Sequence, residues 1–131
     1  MPKAFCLLNH ELTQNQIAEL KEKFDITEIV YPSEELSKKW AQIPPSRELD
    51  FSIVKSVVEY LNSASTGDIL IIQGEAGSTF MLVDYALKKR LVPVYAVTAR
   101  VSKEVATGEQ VVKQNIFVHV CFRPYAYYPK S

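Results

Sequence analysis

The chain predicts an α/β fold: a mainly parallel, Rossmann-like sheet flanked by helices, followed by a C-terminal β-hairpin. Three observations predict it. Short apolar runs alternate with helical patterns from Ala4 to Val97. The run Ile69-Leu70-Ile71-Ile72 is apolar at every position, so it needs cover on both faces, which a sheet between helices supplies. Beyond Val97 two long β-rich segments surround the turn Thr107-Gly108-Glu109.

Taken in order, the first strand is Ala4 to Leu8, ending in the polar pair Asn9-His10. Thr13 is a helix cap, and Ile17, Leu20 and Phe24 are spaced to face a core. Glu28 to Tyr31 is a second strand bounded by Pro32; Ser33 caps a short helix to about Gln42 on which Leu36 and Trp40 share a face. Trp40 there reads as a core or dimer contact, with base stacking the other possibility. Ile43-Pro44-Pro45 breaks the chain, and a helix from Leu49 to Asn62 carries the stripe Phe51, Val54, Val57, Val58 and Leu61. Gly67-Asp68 launches the central strand, Gln73 to Thr79 forms a polar elbow, and a helix runs from Met81 to Lys89 with Lys88-Lys89-Arg90 at its C-terminus. Val92 to Val97 is the next strand, with Thr98 and Arg100 projecting from its carboxyl end; Val101–Ala106 and Gln110–Phe122 are the arms of the hairpin. Three tyrosines crowd the tail, which packs on the sheet edge or stays loose.

At 131 residues the chain forms one domain, residues 1–131, large enough for a core without staples. Fifteen basic and 15 acidic residues give a formal net charge of zero. Binding to long nucleic acid needs a broad basic footprint, so that class is excluded, whereas a small anion in a local pocket is allowed. Cys6 and Cys121 have no metal-type spacing and read as free thiols in strands. With no signal sequence and no apolar run of membrane-spanning length, a cytoplasmic protein without membrane contact is expected.

The elbow Gln73-Gly74-Glu75-Ala76-Gly77-Ser78-Thr79 has chemistry suited to phosphate or ribose. Gly74 and Gly77 permit close backbone approach, Ser78 and Thr79 carry hydroxyls, and the helix N-terminus adds positive potential. No Lys follows the second glycine and the spacing is not the dinucleotide fingerprint, so the same pattern also describes an unliganded strand-to-helix turn. Asn9 and His10 fall at the same carboxyl edge. On the last strand simple alternation puts His119 and Arg123 on one face; His119 reads as a cross-strand contact or as a ligand group.

Together, Phe5-Cys6-Leu7-Leu8-Asn9-His10-Glu11-Leu12-Thr13, Glu28-Ile29-Val30-Tyr31-Pro32, Trp40 with Ile43-Pro44-Pro45, the elbow, Val92-Pro93-Val94-Tyr95-Ala96-Val97-Thr98 with Arg100, and His119-Val120-Cys121-Phe122-Arg123 resemble the small stand-alone CRISPR-associated proteins of the Csx type. These are similar to the Rossmann-like CARF sensor domains of type III CRISPR systems, and the resemblance spans nearly the whole chain. It implies a CARF-like ring nuclease that binds cyclic oligoadenylate, with cyclic tetra-adenylate the expected ring, and cuts it to end the antiviral signal. A non-catalytic sensor or sponge, or another nucleotide-binding Rossmann-like protein, are the alternatives. Ribose 2′-hydroxyl attack on the adjacent phosphate needs no metal, and no cofactor is expected. On chemical grounds His10 is the general base, with His119 second; Arg100 and Arg123 stabilise phosphate charge; Ser78, Thr79 and the backbone of Gly74 and Gly77 cradle phosphate; and Asn9 and Gln73 orient ribose, with Thr98 beside them. A homodimer, two-fold like the ring, would present each loop twice.

Overall fold

A computed structural model describes residues 2–129. Its elements follow the order β1 (Lys3–Leu7), α1 (Gln14–Lys23), β2 (Glu28–Val30), α2 (Glu34–Ala41), α3 (Phe51–Tyr60), β3 (Ile69–Ile72), α4 (Ala76–Lys88), β4 (Val92–Thr107) and β5 (Gln110–Pro124). One five-stranded sheet runs β2-β1-β3-β4-β5. The first three pairings are parallel and β4–β5 is antiparallel. The α/β class and the C-terminal hairpin are thus as expected.

Alternation along the strands divides the core between two faces. Ala4, Cys6, Ile69, Ile71, Val94 and Phe122 pack with Leu20 of α1, whereas Phe5, Leu7, Leu70 and Ile72 pack with residues of α2, α3 and α4. β3 is buried at all four positions, as its uninterrupted apolar run requires. Polar anchors fix the margins. Asp68, 4% exposed, accepts from Lys3 N and Ser65 N at 2.9 Å each and so pins the start of β1 beside β3. Tyr60 places its hydroxyl between Cys6 and Val30, where the short β1–β2 ladder has stopped, accepting from Cys6 N at 2.9 Å and donating to the Val30 carbonyl. No helix among the described residues is long and apolar enough to cross a membrane.

Two departures from expectation shape the site. α4 starts at Ala76, so Gly77, Ser78 and Thr79 belong to its first turn and not to a loop. The cause is Glu75, whose carboxylate caps the helix a turn earlier than the hydroxyls would. Next, β4 does not end at Val97. It runs on to Thr107, pairing with β5 throughout, so Thr98 and Arg100 lie within a strand and not at its carboxyl end. Gly108, φ 62°, opens the two-residue turn with the left-handed backbone that hairpin turns demand.

A bulge between Val97 and Thr98 breaks simple alternation: Val97 pairs with Cys121, but Thr98 pairs with His119, leaving Val120 over. His119 therefore turns to α1, its ring 4.7 Å from Phe122, while Arg123 packs with Tyr95 on the opposite face. The shared face read from the sequence is corrected by this extra residue.

The β3–α4 elbow is locked from below. Trp40, 1% exposed, donates its indole N–H to the Gln73 carbonyl at 3.0 Å, and a methyl group placed on Gly74 would meet the indole ring at 2.7 Å. Gly74 is thus needed for the approach of a tryptophan. Gly74→Ala should cost about 1–3 kcal/mol by forcing a close-packed ring to shift, measured by chemical denaturation; unchanged stability would show that Trp40 can move freely.

Candidate functional site

β1 leads to β2 on one side, whereas β3 flanks it on the other. Open α/β sheets bind ligands beyond the carboxyl ends of the strands at such a switch point. The segment after β1 and the elbow after β3 both stand there, as the sequence predicts for Asn9, His10 and Gln73.

A cleft of about 840 Å³ lies at this edge between the β1 loop, Tyr31-Pro32 after β2, and α2. Asn9, His10 and Glu11 line it with Tyr31, Glu34 and Lys38, above the buried Cys6 and Leu8. Burial pushes the Cys6 thiol up to about 12, so it stays protonated at neutral pH and is no nucleophile. Lys38 stands 3.5 Å from Glu34 in an exposed pair, which leaves its ammonium reachable. Glu11, Tyr31 and Lys38 were not singled out by the sequence; the position of Tyr31 at the end of β2 was the available signal.

His10 is exposed, and its Nδ1 lies 2.8 Å from the Glu11 carbonyl oxygen. A carbonyl only accepts, so Nδ1 carries the hydrogen, and the neutral ring keeps its lone pair on Nε2. That nitrogen can take a proton from a bound hydroxyl.

The elbow is arranged differently from the expected phosphate cradle. Glu75 Oε2 accepts from Gly77 N at 2.7 Å, and Oε1 accepts from Ser78 N and Ser78 Oγ at 2.9 Å each. Those hydrogen bonds, the one from Gly77 N foremost, hold the carboxyl below its ordinary value. An internal anion therefore occupies the helix terminus, and the fully buried Ser78 does not line the cleft. Glutamate is an uncommon cap, which is why Ser78 and Thr79 were preferred from sequence. Gln73 is also engaged: its N–H donates to Leu7 O at 3.2 Å and its Oε1 accepts from Ala96 N at 2.9 Å. Thr79 Oγ1 is buried without a partner among the described residues, beside an apolar groove between α4 and Tyr125.

The remaining candidates are dispersed. His119 is built into a network tying α1 to β5. Gln16 Oε1 accepts from Thr13 N, Gln16 Nε2 lies 3.4 Å from His119 Nδ1, and His119 Nε2 lies 2.6 Å from Glu19 Oε1, whose partner oxygen accepts from Phe122 N at 2.8 Å. Both ring nitrogens are thereby used in tying β5 to α1, a structural contact made with a helix where the sequence suggested one across strands. Arg123 is exposed at the level of the carboxyl edge, its guanidinium donating to Tyr95 Oη at 3.3 Å, a bond that raises its affinity for the proton further. Arg100 and Thr98 lie exposed further out on β4. Asn9 and His10 thus come together, while the arginines and the elbow residues do not join them within one chain. Among the described residues no three His, Cys, Asp or Glu side chains cluster as metal ligands would.

Residues 2–123 match the family model described as "Uncharacterized protein MJ1673 family". The chain belongs to the MJ1673 family. It is 33% identical over 126 residues to "Uncharacterized protein MJ1673" of Methanocaldococcus jannaschii, covering 95% of this chain and 98% of that one. No solved structure matches significantly. The family match takes in all five strands almost to their end, so the cleft, the elbow and the hairpin all fall within the MJ1673 region.

Because folding depresses the Glu75 carboxyl, its capping contribution is complete above the ordinary value of 4.5 and fades as pH falls through the lowered one. Glu75→Gln should therefore reduce the melting temperature at neutral pH and flatten its decline below about pH 4.5. Thermal melts of both proteins across that range check this, and parallel curves would show that the cap carries no charge-dependent stability.

Proposed function

We propose that this chain is a ring nuclease that binds cyclic oligoadenylate, with cyclic tetra-adenylate the expected ring, at the carboxyl edge of its sheet and cuts it by attack of a ribose 2′-hydroxyl. The single observation carrying the reading is the orientation of His10 in the cleft: an imidazole anchored through Nδ1, which turns Nε2 toward the role of proton acceptor. The parallel order β2-β1-β3-β4 supports a CARF-like Rossmann variant, in keeping with the resemblance of its motifs to CRISPR-associated Csx proteins.

In the step, the 2′-oxygen bonds to the adjacent phosphorus while the P–O5′ bond breaks. His10 Nε2 takes the 2′-proton, the departing 5′-oxygen takes a proton from solvent water, and the product ends in a 2′,3′-cyclic phosphate. Asn9 is placed to hold ribose beside His10, and Lys38 is the cation within the cleft. Arg123 lies on β5, about 14 Å from β1 across three strand spacings, and would meet a phosphate at the far side of a ring. Two copies about a two-fold axis would present two such edges to one ring, and Arg100 would then reach it from the second copy. His119 and Ser78 hold the scaffold in this reading.

Incubation with cyclic tetra-adenylate in excess EDTA should yield linear di- or tetra-adenylate with a cyclic phosphate end. His10→Ala should slow this by about 10²–10⁴-fold, the usual range for a positioned base. An intact ring with protein in excess over ligand would sink the nuclease reading; a raised melting temperature in that same sample would leave a sponge, since ligand binding stabilises the folded state by mass action.

A further inference from the structure

Beyond the bulge, β4 and β5 leave the body of the molecule as a two-stranded arm, residues 98–107 with 110–119. An isolated hairpin is at best marginal in water, because one ladder and few side-chain contacts oppose the ordering of the whole backbone. This one spans about 34 Å at the usual rise per residue, and apart from Val105 and His119 all its residues are exposed.

The pairing register sorts its side chains. Ala99 opposes Val118, Val101 opposes Ile116 and Val105 opposes Val112, all on one face, interrupted only by Lys103 opposite Gln114. The other face is mixed: Arg100, Ser102, Glu104, Lys113 and Asn115, with Ser102 Oγ 3.3 Å from Asn115 Oδ1, stand beside the separated apolar residues Phe117, Val111 and Ala106. Val101, Val112, Ile116 and Val118 are each 42–47% exposed. Such an apolar stripe on one side of a ribbon, broken at a single pair, is the pattern of a half-buried sheet, yet nothing among the described residues covers it.

We infer that this apolar face packs on the same face of a second copy of the chain. Between Val101 and Val118 the charges balance, Lys103 and Lys113 against Glu104 and Glu109, which suits self-association and gives no single-sign field for a nucleic acid or an anionic membrane. The footprint is consistent in size. A face about 34 Å by 10 Å, with side-chain relief and both copies counted, approaches the roughly 1,000 Å² that a specific interface needs. A two-fold contact is isologous, so one stripe serves as both halves. Lys103 interrupts the stripe, but a lysine at such a place can lay its stem on apolar neighbours and keep its ammonium at the rim. The inference specifies the surface of the dimer invoked above and does not depend on the ligand.

Sedimentation equilibrium over about a hundredfold range of concentration tests it, since a dimer's population follows mass action. Twice the chain mass is expected at the upper end. The double substitution Val101→Lys with Ile116→Lys, which sets like charges on facing positions, should raise the dimer dissociation constant by at least about tenfold, whereas Ser102→Lys on the other face should not. If circular dichroism shows that the lysine pair impairs folding, Val105→Thr with Val112→Thr keeps shape and β preference and should weaken the dimer in the same direction. A monomer at every concentration, or a dimer indifferent to the folded face variants, overturns the inference, while cleavage of the ring is read separately by chromatography of its products.

Discussion

The architecture depends on one backbone unit at the end of β3. Gln73 donates its N–H to β1 at Leu7, receives the Trp40 indole proton on its carbonyl, and receives the Ala96 N–H on its side chain. Next to it, Ile72 O accepts from Tyr125 Oη at 2.8 Å. One strand terminus thereby links β1, α2, β4 and the tail. Buried polar groups must be paired, so each bond here fixes a segment that would otherwise be free to drift. Glycine at position 74 is the steric condition for it.

This arrangement changes the meaning of the polar elbow. A strand ending in glycines and hydroxyls beside a helix N-terminus invites an anion, but here the inviting groups are already used by Glu75, Trp40 and Ala96. The open surface has shifted one strand over, to the loop after β1. There the side chains are exposed, the walls come from separate elements, and His10 is oriented by a neighbouring carbonyl. The charge partners for a phosphate remain spread along β4 and β5, which is the physical reason a second copy enters the functional reading.

Much of the fold was legible because hydrophobic periodicity is a local signal. The four-residue apolar run announced β3, Thr13 and Ser33 announced their helices, and Gly108 announced the hairpin turn. What stayed hidden depended on tertiary contacts. That Gly74 approaches an indole rather than a ligand follows from where α2 docks. That His119 turns to α1 follows from one unpaired residue, which no alternation rule can place in advance. The candidate site was legible in part for the same reason: Asn9 and His10 follow their strand directly, whereas the roles of Gln73 and Ser78 were set by partners distant in sequence or by an unusual cap.

The extra residue at Val120 also divides β5 into two independently addressed halves. On the body side, Phe122 must stay with the α1 core; on the arm side, facing is set by pairing with the unbroken β4 strand. Losing that residue would make β5 regular while Val97 still meets Cys121 and Thr98 still meets His119, so the bend and twist at the root of the arm would change and the core would stay untouched. A lineage carrying this fold can therefore revise what its arm meets through a single codon gained or lost, without renegotiating the packing that keeps the chain folded.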